Sequence, residues 1–221
     1  MKKLSLFQTT IGKKLLMALT GILFCFFLLV HLLNNLTLFL GPASFNALVS
    51  SLEYIKPLIR VLEVLLLIIL VTHIYNAFFL AYKSKSSRPS GYSSKIKDSS
   101  TISSKTMLIS GVTILLFLVV HLGTFWRIFQ SVDDHSIYYD IVTKNNIVGF
   151  GNPLIAVLYM AASIFIGMHL KHGFESSFKT FGISNVRTKN IINKVAILFW
   201  FVVPFGFFVI SAWFGIIKGL L

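Results

Sequence analysis

The chain has 221 residues, 56% of them hydrophobic and only 12% charged, with a mean hydropathy of +0.83. That is too apolar for a soluble globular domain and places the chain among polytopic membrane proteins. A net charge of +13 raises nucleic acid as a partner, but the basic residues cluster at the ends of apolar segments, as topology signals do, and a nucleic-acid reading is set aside.

Five stretches, near 15–40, 58–82, 106–129, 153–175 and 195–217, are long enough to cross about 30 Å of hydrocarbon as helices. The sequence therefore predicts an all-α membrane protein of five transmembrane helices, with residues 1–221 forming a single integral domain. Lys2, Lys3, Lys13 and Lys14 precede the first stretch, which is too long for a signal-peptide core and is read as a retained span. Between the first two spans, Gly41-Pro42 marks a turn, and SFNALVSSLEY suggests a short interfacial helix. Segment 83–105 is rich in Ser, Lys and Gly and is expected to be a mobile loop. Segment 130–152 reads as a longer polar loop closed by Gly149 and Gly151, with Pro153 starting the fourth span. Pro204 predicts a mild kink in the fifth. Cys25 stands alone mid-span, which excludes a disulfide, an iron–sulfur cluster and a thiolate zinc site within this chain.

Fifteen of the basic residues fall on one side of these spans, in the N-terminal end, 83–105 and 171–194. The other side carries Lys56, Arg60, Arg127, Lys144 and Lys218, and three of the seven acids, Asp133, Asp134 and Asp140. This bias predicts the N-terminus inside and the C-terminus outside. The basic face would meet anionic lipid or a docked partner.

His31, His73, His121 and His169 each sit in a different apolar segment, where an ionisable side chain is costly and marks a functional site. The segments also repeat. TGILFCFFLLVHLL and SGVTILLFLVVHLG share a hydroxyl–glycine pair (Thr20-Gly21, Ser110-Gly111) ten residues before the histidine. VTHIYNAFF and GMHLKHGFE share a small residue and Phe at the fourth and fifth positions after it. Spans one and two thus resemble spans three and four.

Counting helical rise puts His31 and His121 roughly 24–26 Å from the inner end, and His73 and His169 roughly 24 Å from the outer end. Two pairs result, one in the outer half and one in the inner half, separated by roughly 8–18 Å along the membrane normal. Two histidines from different helices at one level suit bis-histidine ligation of a flat macrocycle, so two b-type hemes are the leading reading. Zinc, a proton relay and histidines satisfied by carbonyls or hydroxyls remain alternatives. His172, one turn from His169, is read as a neighbour or propionate partner and not a ligand. His135, in the acidic outer loop, is expected to be solvated.

With these residues in view, the chain resembles the diheme cytochrome b membrane anchor of succinate:quinone oxidoreductases (succinate dehydrogenase or fumarate reductase), in its five-helix single-anchor form. The likeness lies in VHLLNN with the following GPASFN, THIYNAF, VHLGTFWR and MHLKHGFESSFKTFGI, and covers nearly the whole chain. It implies a multi-pass protein of the bacterial cytoplasmic membrane holding two heme b, one on His31 and His121 and one on His73 and His169. It also implies flavoprotein and iron–sulfur partner subunits on the cytoplasmic face. Electrons would pass from the clusters through the inner and outer hemes to quinone, with menaquinone favoured, and dicarboxylate chemistry would reside in the partners. The alternatives are an anchor for another quinone-linked dehydrogenase and a heme-free small transporter.

Quinone-site candidates lie toward the outer end. Glu63 and Arg60 are three residues apart on the second span, and Glu63 is the carboxylate best placed to deliver protons. Trp126 and Arg127 follow His121 toward the same surface, where belt and anchor residues are also common. Asn34 and Asn35 lie one turn above His31, within reach of a propionate or a quinone carbonyl.

Overall fold

An apolar segment in hydrocarbon must satisfy its backbone hydrogen bonds internally, and a helix does so within one segment. The computed structural model, which describes residues 9–86 and 106–220, is helical throughout, and five of its helices are long and apolar enough to span a membrane. In chain order they are α1 (Thr10–Leu36, tightening through Thr37–Leu40), α3 (Lys56–Ser86), α4 (Met107–Ser131), α6 (Pro153–Thr180) and α7 (Lys189–Ile217). Two shorter helices, α2 (Pro42–Tyr54) and α5 (Tyr138–Thr143), lie between spans. The spans overrun the predicted ones by up to six residues, because polar ends such as Lys189–Lys194 continue a helix beyond its apolar stretch. Positions 83–86 belong to α3 and not to a loop. Residues 87–105, with Arg88, Lys95, Lys97 and Lys105, lie outside the described residues, as do Lys2 and Lys3.

The ends carry ordinary stop and start chemistry. Thr9 caps α1 by accepting from Gly12 N–H (3.0 Å), and Asn152 caps α6 by accepting from Leu154 N–H (3.0 Å), with Pro153 in the first turn. Gly182, at φ 72°, closes α6, where the Ile183 N–H bonds the Phe178 carbonyl (3.1 Å).

Helix α6 is the hub and packs on α1, α4 and α7, while α3 packs on α1. Apolar burial drives little helix association in lipid, so close backbone approach matters more. Ala156, Ala196 and Val203 are wholly buried along the α6–α7 seam. Helices α3 and α4 are the least covered spans, with 6% of each apolar window buried against 22–33% for the others. Pro204 lacks an N–H and crowds the Trp200 carbonyl, and the turn before it widens into a π-helical turn over Leu198–Val202.

The end formed by α2 and α5 departs from expectation. Segment 130–152 is not simply polar, because its own Tyr138, Tyr139, Ile141, Val142 and Phe150 are buried in one cluster with Leu38 and Phe45. Asn46 ties the two short helices together, accepting from Tyr139 N–H (2.8 Å) and donating to the Ser136 carbonyl (2.5 Å). Ser136 in turn donates its N–H and hydroxyl to Asp134, holding that carboxyl below its usual range.

Candidate functional site

Helix packing brings the four histidines together two by two. The His31 and His121 rings lie 5.8 Å apart between centroids, with planes at 84°. The His73 and His169 rings lie 6.4 Å apart, with planes at 60°. Each pair joins alternate helices, α1 with α4 and α3 with α6.

The His73–His169 pair is seated by hydroxyls. Thr20 Oγ1 lies 2.9 Å from His73 Nδ1 and 2.8 Å from the Leu16 carbonyl. Ser110 Oγ lies 3.2 Å from His169 Nδ1 and 3.0 Å from the Met107 carbonyl. A carbonyl cannot donate, so each hydroxyl gives it its one hydrogen and accepts Nδ1–H from the ring. That leaves the Nε2 lone pair of both rings for another partner.

The His31–His121 pair is held differently. His121 Nδ1 is 3.1 Å from Tyr159 OH, which is 3.2 Å from Thr124 Oγ1, itself 2.9 Å from the Val120 carbonyl. The same bookkeeping makes His121 an Nδ1–H donor. The π-helical turn Leu122–Trp126, directly after His121, places Thr124 in this chain. His31 is held by rings, stacked on Phe27 at 5.4 Å and against Phe207 at 5.6 Å.

Helical rise fixes the spacing of the levels. Thr20 and His31 are eleven residues apart on α1, as are Ser110 and His121 on α4, which puts the levels about 16 Å apart. Tyr159 and His169, ten apart on α6, give about 15 Å.

A metal–imidazole bond of about 2.0 Å plus roughly 1.2 Å from nitrogen to ring centre on each side would set two ring centres about 6.4 Å apart, near both observed spacings. Among the described residues no three His, Cys, Asp or Glu side chains converge, so the donors come in twos and offer no four-ligand zinc site. Asn76, one turn along α3 from His73 and 2% exposed, has a buried Nδ2 without a partner, which a carboxylate-bearing group at that level would satisfy.

No family model, curated protein or solved structure matches the chain.

Toward the other end, α3 and α4 are clasped by polar side chains. Arg60 donates to Glu63 Oε2 (2.6 Å) and to Gln130 Oε1, and Trp126 Nε1 donates to Glu63 Oε1 (2.9 Å). Three of the four outer-end candidates from these helices therefore meet. Arg127 does not join them, since it is exposed one position further round α4; Gln130, one turn from Trp126, takes its place. Only a contact between helices distinguishes Gln130 from any other interfacial amide. Asn35 donates one amide N–H to the His31 carbonyl of its own helix (2.8 Å), and Asn34 is half-buried beside it. His172 is half-buried one turn from His169, outside the paired rings, and His135 is exposed and stacks on Tyr138 at 5.6 Å. The groove between α6 and α7, lined by Gly167, Lys171, Trp200, Phe201 and Pro204, is on the face of α6 away from His169.

Proposed function

We propose that this chain is the diheme cytochrome b anchor of a succinate:quinone oxidoreductase, passing electrons across the bacterial cytoplasmic membrane. One observation carries the heme reading: two histidine pairs on alternate spans, at two levels, with ring spacings of 5.8 and 6.4 Å that would let each pair hold one metal. His73 and His169 would hold the inner heme, and His31 and His121 the outer one. Bound at these sites, two b hemes supply one-electron redox chemistry at two depths.

The protein's part is ligation, orientation and insulation. Thr20, Ser110 and Tyr159 hold three of the rings with Nε2 free. Phe27, Phe117, Phe125 and Phe207 surround the outer pair and keep water from it. Quinone reduction also needs protons. Glu63, partly solvent-accessible and held by Arg60 and Trp126, is the group we assign to deliver them at the outer end. The bias of basic residues supports an inside N-terminus, which turns Lys13, Lys14, Lys179 and Lys194 toward the cytoplasm, where flavoprotein and iron–sulfur subunits would dock.

A reduced-minus-oxidised spectrum of the purified protein tests the reading, with identification of its co-purified subunits. A b-type α band with flavoprotein and iron–sulfur partners is the expected result. Heme with other partners would point to an anchor for a different dehydrogenase. Absence of the band would reject the heme assignment and favour a heme-free transporter.

A further inference from the structure

The hydroxyl–glycine pairs Thr20-Gly21 and Ser110-Gly111 are ten residues from a histidine in sequence, yet the histidines they touch are on other helices. Thr20 seats His73 and Ser110 seats His169, the two inner rings. Each following glycine borders the same ring, and at Gly111 the fit is tight. A Cβ on Gly21 would stand 3.7 Å from His73 Cε1, and one on Gly111 would stand 3.3 Å from His169 Cε1. Helices α1 and α4 thus each carry an outer ring and, three turns earlier, the seat of an inner ring.

Hydroxyls that bond the carbonyl a turn back are common in this chain, as at Thr113, Ser163, Ser177 and Ser211. Those side chains stop at their own backbone. Thr20 and Ser110, at 5% and 1% exposure, spend their second site on an imidazole, and they do so in the same way on both sides of the pair. The outer pair has no such symmetry, since Tyr159 bonds one ring and aromatic packing holds the other.

We propose that Thr20 and Ser110, with Gly111 beside the latter, are positioning residues that set the ring orientation and donor strength of both inner ligands and so tune the inner heme. This rests on the heme reading above. An Nδ1–H that donates to a hydroxyl gives its imidazole more basic character, and such partners outside the coordination sphere orient and tune metal ligands. A more basic ligand favours the oxidised metal, so loss of either hydroxyl raises the midpoint potential of the inner heme. Loss of both raises it further, and the outer heme is untouched.

Redox titration of full-length Thr20→Val and Ser110→Ala, purified with their hemes, reads this directly. Both are expected to shift upward the heme that His73→Ala removes, and Thr20→Ser to restore it. Unmoved potentials in protein with full heme content, or a shift confined to the outer heme, would overturn the proposal. The histidine 15N shifts of heme-depleted protein give a second readout, taken without heme because a metal on Nε2 would itself fix the Nδ1–H tautomer. His73 and His169 are expected as Nδ1–H tautomers in the native chain, and each loses that preference when its own seat is removed. Native tautomers unaffected by either substitution would dismiss the seats even if the protein proved heme-free, whereas a heme-free protein with seated tautomers would reject only the heme reading.

Discussion

Tyr159 OH accepts a hydrogen bond from His121 Nδ1–H at 3.1 Å and donates to Thr124 Oγ1, so a ring on α4 is oriented by a hydroxyl on α6. Tyr159→Phe leaves that N–H without an acceptor at apolar depth, a cost of about 1–3 kcal/mol. The variant is expected to unfold at lower temperature in detergent and to raise the potential of the outer heme alone. Scanning calorimetry and redox titration check the two effects.

The pairing makes a sharper demand on the histidines. His31→Ala and His121→Ala are expected to lose one and the same heme, and His73→Ala and His169→Ala the other. Low-temperature spectra distinguish the two hemes in protein whose folding is verified by circular dichroism. Loss of a different heme by the two members of a pair would break the assignment.

Gly206 of α7 faces Leu32, the neighbour of His31. A Cβ there would come within 2.7 and 2.8 Å of the two Leu32 methyl carbons. Gly206→Val should overpack this contact at a cost of about 1–3 kcal/mol and loosen the outer heme first. Adding Leu32→Ala is expected to recover part of the stability, measured by thermal unfolding of the single and double variants.

Glu63→Gln keeps an acceptor for Trp126 Nε1 and removes the charge paired with Arg60. The pair is partly exposed (40% and 27%), so its structural cost is small, within about 1 kcal/mol. Quinone turnover by the assembled complex is expected to fall by at least about tenfold with both hemes present, because proton delivery is lost. Unchanged turnover would relieve Glu63 of that role.

Asn76→Leu removes a buried donor that has no protein partner. The fold is expected to keep its stability, since no protein hydrogen bond is lost. The inner heme should be retained less firmly, as measured by heme content after detergent dialysis. Full retention would show that the amide holds no part of the group.

Much of this organisation is written in the chain. Runs of about 20 apolar residues can only be helices in hydrocarbon, so the five spans were legible apart from their polar ends. The helical rise of 1.5 Å converts residue number into depth, so the grouping of His31 with His121 and His73 with His169 could be counted without coordinates. The repeat also singled out Thr20 and Ser110. Their role was hidden because a repeat displays residues on one helix, while the rings they touch come from another.

What tertiary structure decided is everything that depends on rotation and contact. Rise says nothing about which way a helix faces. Only helix packing brought ring centroids to 5.8 and 6.4 Å, turned Gln130 and not Arg127 toward Arg60, and buried the apolar side of segment 130–152, α5 included. Sequence determined depth because backbone geometry is uniform along a helix. Partner identity had to await the fold, because it is set by side chains from segments far apart in the chain.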